Sequence, residues 1–365
     1  MTDAESRVIG LAGVPLDMVT MAGAVARVRD AVRLRQRLLV STPNLNFLIA
    51  CQRDAVFRQS VIDSDLTLAD GMPLVWMSRW LASPLPERVT GSGLFEALRQ
   101  PVPGVPPVRV YFFGGPPGIA AAAARQVNAV SGGVHCVGHA DPGFGSLDDM
   151  SSAGLLADIN ASGADFLIVA LGAAKGQAWI QRNAAALQVP VISHLGAVVN
   201  FAAGTVRRAP AWVQRSGLEW LWRIKEEPAL WRRYWRDSVA LVRLAIMQVL
   251  PCGLWLRHQH ERAGAVIAWH DEGACGRLVL QGWLPDRLDP GQQAAVRQAM
   301  EHEGPLQLDC HSLTGFGPQW AGRLLRLERR LRCHPDRTVQ VAGLSPGMQR
   351  LWRWNGLTFY LARMV

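Results

Sequence analysis

Residues 108–115 read Val-Arg-Val-Tyr-Phe-Phe-Gly-Gly, and residues 166–172 read Phe-Leu-Ile-Val-Ala-Leu-Gly. Each is a short apolar run, rich in β-branched and aromatic residues, that stops at glycine; this is how a strand buried on both faces reads. Between them, Ile119–Val130 reads as an Ala-rich helix, Val134–His139 as a strand and Leu155–Ser162 as a helix; Val189–His194 is a further strand. The rhythm also extends upstream. Residues 19–37 carry Met21, Val25, Val28 and Val32 at helical spacing, and a strand over 37–41 ends in Thr42-Pro43-Asn44. A helix over Asn46–Ser60 and a strand over Leu66–Ala69 follow, ending in Asp70-Gly71, while Val8–Leu16 reads as a first strand and turn. Alternation of this kind gives an α/β fold with a Rossmann-like, mostly parallel sheet. Ligands of such sheets bind beyond the carboxyl ends of the strands. Thr42, Asn44, Asp70, Gly114, Gly115, Lys175 and Gln177 all fall at or just after those ends.

The 365 residues suffice for two domains. A composition of 49% hydrophobic and 18% charged residues excludes a disordered chain. A net charge of +9 points to an acidic partner: phosphate, anionic lipid or nucleic acid. Lys175 and Lys225 are the only lysines, so arginine carries nearly all of the positive charge. The six cysteines form no CxxC pair and no disulfide framework, which fits a reducing cytoplasm. Residues 1–7 are polar and acidic and do not read as a secretory leader.

Three segments are expected: a core over 1–204, a basic helical appendage over 205–260 and a small α/β unit over 261–365. The appendage holds ten Arg or Lys against four acids, with six of the chain's 14 tryptophans. Arg interleaved with Trp suits a membrane–water interface, where indole sits at headgroup level and guanidinium meets phosphate. Val239–Leu256 is apolar apart from Arg243 and Gln248, with Pro251-Cys252-Gly253 expected to break it. Peripheral attachment is the expectation, and nucleic-acid binding is disfavoured because no reader motif is present. In the last segment, strands are expected over Ala265–Trp269, Leu278–Leu284, Leu306–Asp309 and Thr338–Ala342. Helices are expected over Pro290–Glu303, Pro318–Cys333 and Ser345–Asn355.

An ordered set of motifs spans the first 240 residues: Ser-Thr-Pro-Asn (41–44), Ala-Asp-Gly (69–71), Glu-Arg-Val-Thr-Gly (87–91), Phe-Phe-Gly-Gly (112–115), Asp-Pro-Gly-Phe (141–144) and Val-Ala-Leu-Gly (169–172). Arg-Ala-Pro-Ala-Trp (208–212), Gly-Leu-Glu-Trp-Leu-Trp-Arg (217–223), Glu-Pro (227–228) and Arg-Arg-Tyr (232–234) complete it. The set resembles the WecG/TagA/CpsF family of bacterial glycosyltransferases. That resemblance implies inverting transfer of N-acetylmannosamine, its uronic acid or glucose from a UDP-sugar donor. The acceptor it implies is an undecaprenyl-diphosphate-linked saccharide at the cytoplasmic face of the plasma membrane, in cell-surface or exopolysaccharide synthesis. It also implies that no metal or other cofactor is needed, and it suggests a homo-oligomer.

Sugar transfer needs a base for the acceptor hydroxyl, and a carboxylate at a strand end can serve. Asp70 is that candidate, matching the family's carboxylate, with Thr42 and Asn44 beside it. The resemblance adds Asn46, Arg88, Gly91, Gly114, Gly115, Gln177 and Asn200 as substrate contacts. Gly-Gly after a strand lets backbone N–H groups approach a phosphate. Arg208, Arg223, Arg232 and Arg233 are the candidates for diphosphate charge. Asp63-Ser64-Asp65 has DxD spacing but precedes its strand, so it stands at the wrong end for a metal shared with Asp70.

The sequence departs from the family at several places. Ala174-Lys175-Gly176-Gln177 stands where many members have Pro-Lys-Gln-Glu, and Val199-Asn200 replaces a Phe-Asp pair. Gly93 replaces an Asp. The alternative these raise is a catalytically weakened scaffold that binds UDP-sugar or lipid and signals through its tail. The tail resembles a STAS domain through Gly276–Gly282, Leu306–Asp309 and Gly343–Pro346. Gly317-Pro318 occupies the place of a phosphorylated Asp-Ser pair, so a docking module for a protein partner is expected rather than a phosphoserine switch.

Overall fold

In a computed structural model of the chain, the described residues are 7–206, 210, 213, 219–226, 231–258, 264–273, 275–332 and 337–364. Six strands form the main sheet: β3 (Leu38–Ser41), β4 (Leu66–Thr67), β5 (Val108–Gly114), β6 (Val134–Ala140), β7 (Phe166–Ala170) and β8 (Val191–His194). They are ordered β4-β3-β8-β7-β5-β6, and every pairing is parallel. The two stretches quoted first lie side by side, with Phe112 opposite Ile168. Phe112, Phe113, Phe166, Leu167, Ile168 and Val169 are all buried, as a sheet covered on both faces requires.

One face of the sheet carries α1 (Met21–Leu34), α5 (Gly91–Arg99), α6 (Ile119–Asn128) and α9 (Gly196–Ala202). The other carries α3 (Ala55–Ile62), which packs on α8 (Ala173–Asn183). The single helix expected over Asn46–Ser60 is two, because Asp54 ends α2 (Leu45–Arg53) and caps α3, accepting from the Val56 and Phe57 amides. α4 (Met72–Trp80) and α7 (Ala153–Ala161) complete the set around the main sheet.

Val8–Leu16 is not a strand of the main sheet. It folds as an antiparallel hairpin of β1 (Val8–Leu11) and β2 (Val14–Asp17). Ala12 and Gly13 both take positive φ, 48° and 80°, which closes a two-residue turn matched to the strand twist. Gly13 has no room for a side chain, since a Cβ would stand 2.8 Å from the Gly356 carbonyl oxygen.

The C-terminal unit has β9 (Val266–Asp271), β10 (Gly276–Leu284), β11 (Leu306–Asp309), β12 (Leu313–Phe316) and β13 (Val339–Ala342). β9 pairs antiparallel with β10, whereas β11 and β12 run parallel to β10, and β13 runs parallel to β11. The helices are α13 (Pro290–Glu301), α14 (Pro318–Arg332), α15 (Pro346–Trp354) and α16 (Thr358–Leu361), numbered after the two appendage helices and the helix that follows them. The core of this unit is continuous with that of the hairpin: Ile9, Leu11, Val14 and Leu16 belong with Phe47, Val61, Leu308, Phe316, Leu325 and Trp352 to one buried cluster. α14 lies directly on β1; a Cβ on Gly322 would meet the Val8 carbonyl oxygen at 2.6 Å.

The appendage contributes α10 (Glu219–Glu226) and α11 (Trp231–Leu244), which continues through a π-helical turn (Ala245–Val249) into α12 (Leu250–His258). Pro251 and Gly253 therefore do not break the segment. The wider turn just before Pro251 already displaces the i→i−4 ladder that proline would interrupt. Gly253 is where the Trp80 indole packs, its Nε1 lying 2.2 Å from where a Cβ would be. Tyr234–His258 is long and apolar enough to cross a membrane. Its inner face, with Asp237, Leu244, Val249, Cys252 and Leu256, is buried against the body. Its outer face exposes Trp235, Val239, Val242, Ile246, Met247, Leu250 and Leu254.

Candidate active site

The carboxyl ends of β3, β4, β5, β7 and β8 form one rim. β3 leads into α2 on one face of the sheet, and its neighbour β8 leads into α9 on the other. Connections that diverge in this way open a crevice above the adjoining strand ends. α2, α4, α5, α6, α8 and α9 all start at this rim. Each directs the positive end of its dipole there, so the rim favours an anion before any side chain is counted.

Asp70 follows β4 and is half-buried. Its amide donates to the Pro43 carbonyl at 2.8 Å, and its Oδ2 accepts from the Gly91 amide at 3.2 Å. Gly91 opens α5 and must lack a side chain: a Cβ would lie 2.5 Å from Leu195 Cδ2 and 3.4 Å from Thr42 Oγ1. Asp70, Thr42 and Leu195, from three separate strand ends, are thus gathered with Gly91 at the start of α5. Asn44 is beside them; its Cα is 3.8 Å from where a Cβ on Gly71 would be. Its own Oδ1 caps α2, accepting from the Phe47 amide at 3.1 Å. Arg88 lies half-buried on the segment leading to Thr90, whose side chain caps α5. Asp70 is neither entombed nor stranded on the outer surface, as a base that meets an incoming hydroxyl requires.

Across the rim, Gly114 and Gly115 take φ of 94° and 99°, a region that favours glycine. A Cβ on Gly114 would be 3.0 Å from the Ala170 carbonyl oxygen, and one on Gly115 would be 3.9 Å from Val199 beside Asn200. Gln177 lies inside the body of the sheet rather than at its open edge: it is buried, and its Nε2 donates to Ser41 Oγ at 2.6 Å. Ser41 Oγ also meets Ser64 Oγ at 2.7 Å. Asn46 Nδ2 reaches Asp237 Oδ2 at 3.5 Å and so ties α2 to the appendage. Lys175 Nζ donates to the Gly145 carbonyl.

Of the four arginines expected to meet diphosphate, Arg208 lies outside the described residues. Arg223 and Arg233 sit on α10 and α11, with their side chains outside the described set. Arg232 is exposed, its guanidinium 5.8 Å from the Trp231 ring centroid. Asp63-Ser64-Asp65 stands at the amino end of β4. Asp63 accepts from Gln59 at 2.7 Å, while Asp65 accepts from the Leu39 amide at 2.6 Å and pairs with Arg329.

His194 escapes a reading of the sequence, because it ends a strand with no motif around it. The imidazole is buried, and burial pushes its pKa from 6.5 down to about 4, so the ring is neutral near pH 7. Its Nε2 has no partner among the described residues. The ring fills the space that Gly176 leaves, with Cδ2 2.3 Å from where a Cβ would stand. An open depression of about 620 Å³ between α6 and β6, lined by Arg125, Asn128 and His139, lies at the far edge of the sheet and holds none of these residues.

The parallel sheet and the half-buried carboxylate at its carboxyl-end rim define an α/β fold whose ligand site lies at the strand ends. Residues 9–252 match the glycosyl transferase WecG/TagA/CpsF family, and the chain belongs to that family and is a glycosyltransferase. It is 28% identical over 197 residues to an N-acetylglucosaminyldiphosphoundecaprenol N-acetyl-beta-D-mannosaminyltransferase of Bacillus spizizenii, covering 54% of this chain and 73% of the relative. A Bacillus subtilis enzyme of the same name is 25% identical over 195 residues, covering 53% and 74%.

Proposed function

We propose that the protein transfers an N-acetylmannosamine-type sugar from a UDP-sugar to an undecaprenyl-diphosphate-linked saccharide, with Asp70 as general base. The observation that carries this reading is Asp70, held half-exposed at the helix N-terminal rim and hydrogen-bonded to Gly91. The names of the relatives supply the substrate class. An Asp70 carboxylate oxygen takes the proton of the acceptor hydroxyl as that oxygen attacks the anomeric carbon. The bond from that carbon to the UDP oxygen breaks on the opposite face, so the centre inverts and UDP leaves with the electron pair. Helix N-termini and the arginines of α10 and α11 meet the diphosphate charge, and on this reading no metal is required.

On this reading a lipid-linked acceptor would bring the enzyme to the inner face of the plasma membrane. The outward apolar face of Trp235–Leu254 would rest on an anionic surface, with the exposed Arg236 and Arg243 on the same helix. The STAS likeness of the tail, a protein partner for it, and self-association belong to the same proposal. The test is a donor screen with a synthetic short-chain polyprenyl-diphosphate N-acetylglucosamine acceptor and product masses read directly. Acceptor-dependent UDP release with one added N-acetylhexosamine supports the reading. Nucleotide binding without turnover across the panel would favour the scaffold alternative.

A further inference from the structure

The C-terminal unit reaches the active-site edge of the main sheet through two arginines of α14. The Arg326 side chain is wholly buried. Its Nη2 donates to Asp17 Oδ2 at 2.7 Å and its Nη1 to the Ser64 carbonyl at 2.5 Å. That same Asp17 oxygen accepts from the Thr67 amide at 2.8 Å and from Thr67 Oγ1 at 3.0 Å. Thr67 is the last residue of β4, three before Asp70. Ser64 Oγ meets Ser41 Oγ, which receives Gln177 Nε2 and immediately precedes Thr42. One turn along α14, Arg329 pairs with Asp65, whose other oxygen receives the Leu39 amide of β3. Two guanidinium groups from beyond residue 300 therefore fix both strands that carry Thr42 and Asp70. The family match ends at residue 252, so this support is supplied by chain outside it.

We propose that the C-terminal unit is a brace for the catalytic edge and that Arg326 is a positioning residue, acting on Asp70 through Asp17, Ser64 and Thr67. A guanidinium can serve two acceptors in a fixed fork, whereas an ammonium on a flexible stem cannot hold both with the same geometry. β4 is only two residues long and lies at the edge of the sheet, with few ladder bonds of its own. Backbone bonds from Leu68 to Ser41 and from Asp70 to Pro43 hold its carboxyl end to β3, and Asp17 and Arg326 add side-chain anchors at Thr67 and Ser64. The activity part of the claim rests on the transferase reading given above; the structural part does not.

The test uses the full chain with Arg326→Lys, and Arg329→Gln as the milder variant in case the first does not fold. Amide exchange of the 66–70 segment is expected to accelerate about tenfold or more, with the amides of β5 and β7 unchanged. In the same folded samples kcat is expected to fall by about a hundredfold, with the donor KM little altered, because a displaced base costs chemistry rather than binding. A merely cohesive role would lower Tm while leaving kcat of the folded fraction at the wild-type value. That result, or unchanged exchange over 66–70, would overturn the brace. A wild-type chain that transfers no sugar would overturn the transferase reading alone, and the exchange pattern would still decide the brace.

Discussion

The main sheet and the C-terminal unit are both α/β layers, yet they use polar side chains in opposite ways. In the main sheet the polar groups Asp70, Asn44, Arg88 and Asn200 stay half-exposed around one rim. In the tail, Arg326, Glu328 and Arg337 are buried and bonded: Arg326 to Asp17, Glu328 to Arg363 at 2.6 Å, and Arg337 to the Ala299 carbonyl at 2.6 Å. A half-exposed polar group still meets solvent and can be reached by a ligand. A buried charge must be paired, because removing its partner leaves an uncompensated ion. Of the three buried groups, Arg326 reaches across to Asp17, while Glu328 and Arg337 are bonded within the tail. Asp65, at the amino end of β4, likewise pairs with an arginine, Arg329.

This contrast can be broken most forcefully at Arg326. Arg326→Met, measured by urea unfolding, is expected to lose about 3–5 kcal/mol, whereas Asp17→Asn combined with Arg326→Met recovers part of that loss. A double-variant loss equal to the sum of the two single-variant losses would mean the pair is not coupled.

The next effect is a pH dependence set by His194. Its folded pKa of about 4 lies below the ordinary 6.5, so the unfolded chain binds more protons between those values. Stability from this group is complete above pH 6.5 and declines as pH falls toward 4, by about 3 kcal/mol in all. In His194→Asn the difference in unfolding free energy between pH 7 and pH 4.5 should shrink accordingly. An unchanged difference would show that the buried imidazole is not the group responsible.

Smaller again is Gly322→Ala, whose Cβ would press on the Val8 carbonyl; about 1–3 kcal/mol should be lost, read as a fall in Tm. Gly154→Ala in α7 meets nothing within 4 Å and should be neutral or slightly stabilising. Smallest in energy is the outer face of the appendage. Ile246→Ser with Met247→Ser, at positions 54% and 64% exposed, should leave Tm unchanged and weaken binding to anionic vesicles by about tenfold. Undiminished vesicle binding would remove this face from the membrane account.

Much of the fold could be read locally. β5 and β7 announce themselves by apolar runs ending in glycine, and Asp289, Pro290 and Ser345 mark helix starts that the structure keeps. Asp70, Thr42 and Gly91 were legible as candidates because each adjoins a strand end or belongs to a motif. What was not legible is non-local. Asp17 and Arg326 are separated by more than 300 residues, and no periodicity links them. The turn at Ala12-Gly13 detaches the first strand from the main sheet, although its apolar pattern suits either place. α4 and α5 were missed because glycines occupy their starts: Gly71 caps α4, and Gly91 and Gly93 sit in the first turn of α5. These glycines read as loop, yet close packing around Asp70 demands the one at 91. The π turn before Pro251 likewise reverses a reading in which proline ends the helix.

The most direct measurement is UDP release by Asp70→Asn in the presence of the polyprenyl-diphosphate acceptor, compared with wild type at saturating donor. Asparagine keeps the shape and can still accept from Gly91, but it cannot take a proton. The account predicts a fall in kcat of about a hundredfold to ten-thousandfold with donor binding retained. Turnover at the wild-type rate would contradict it.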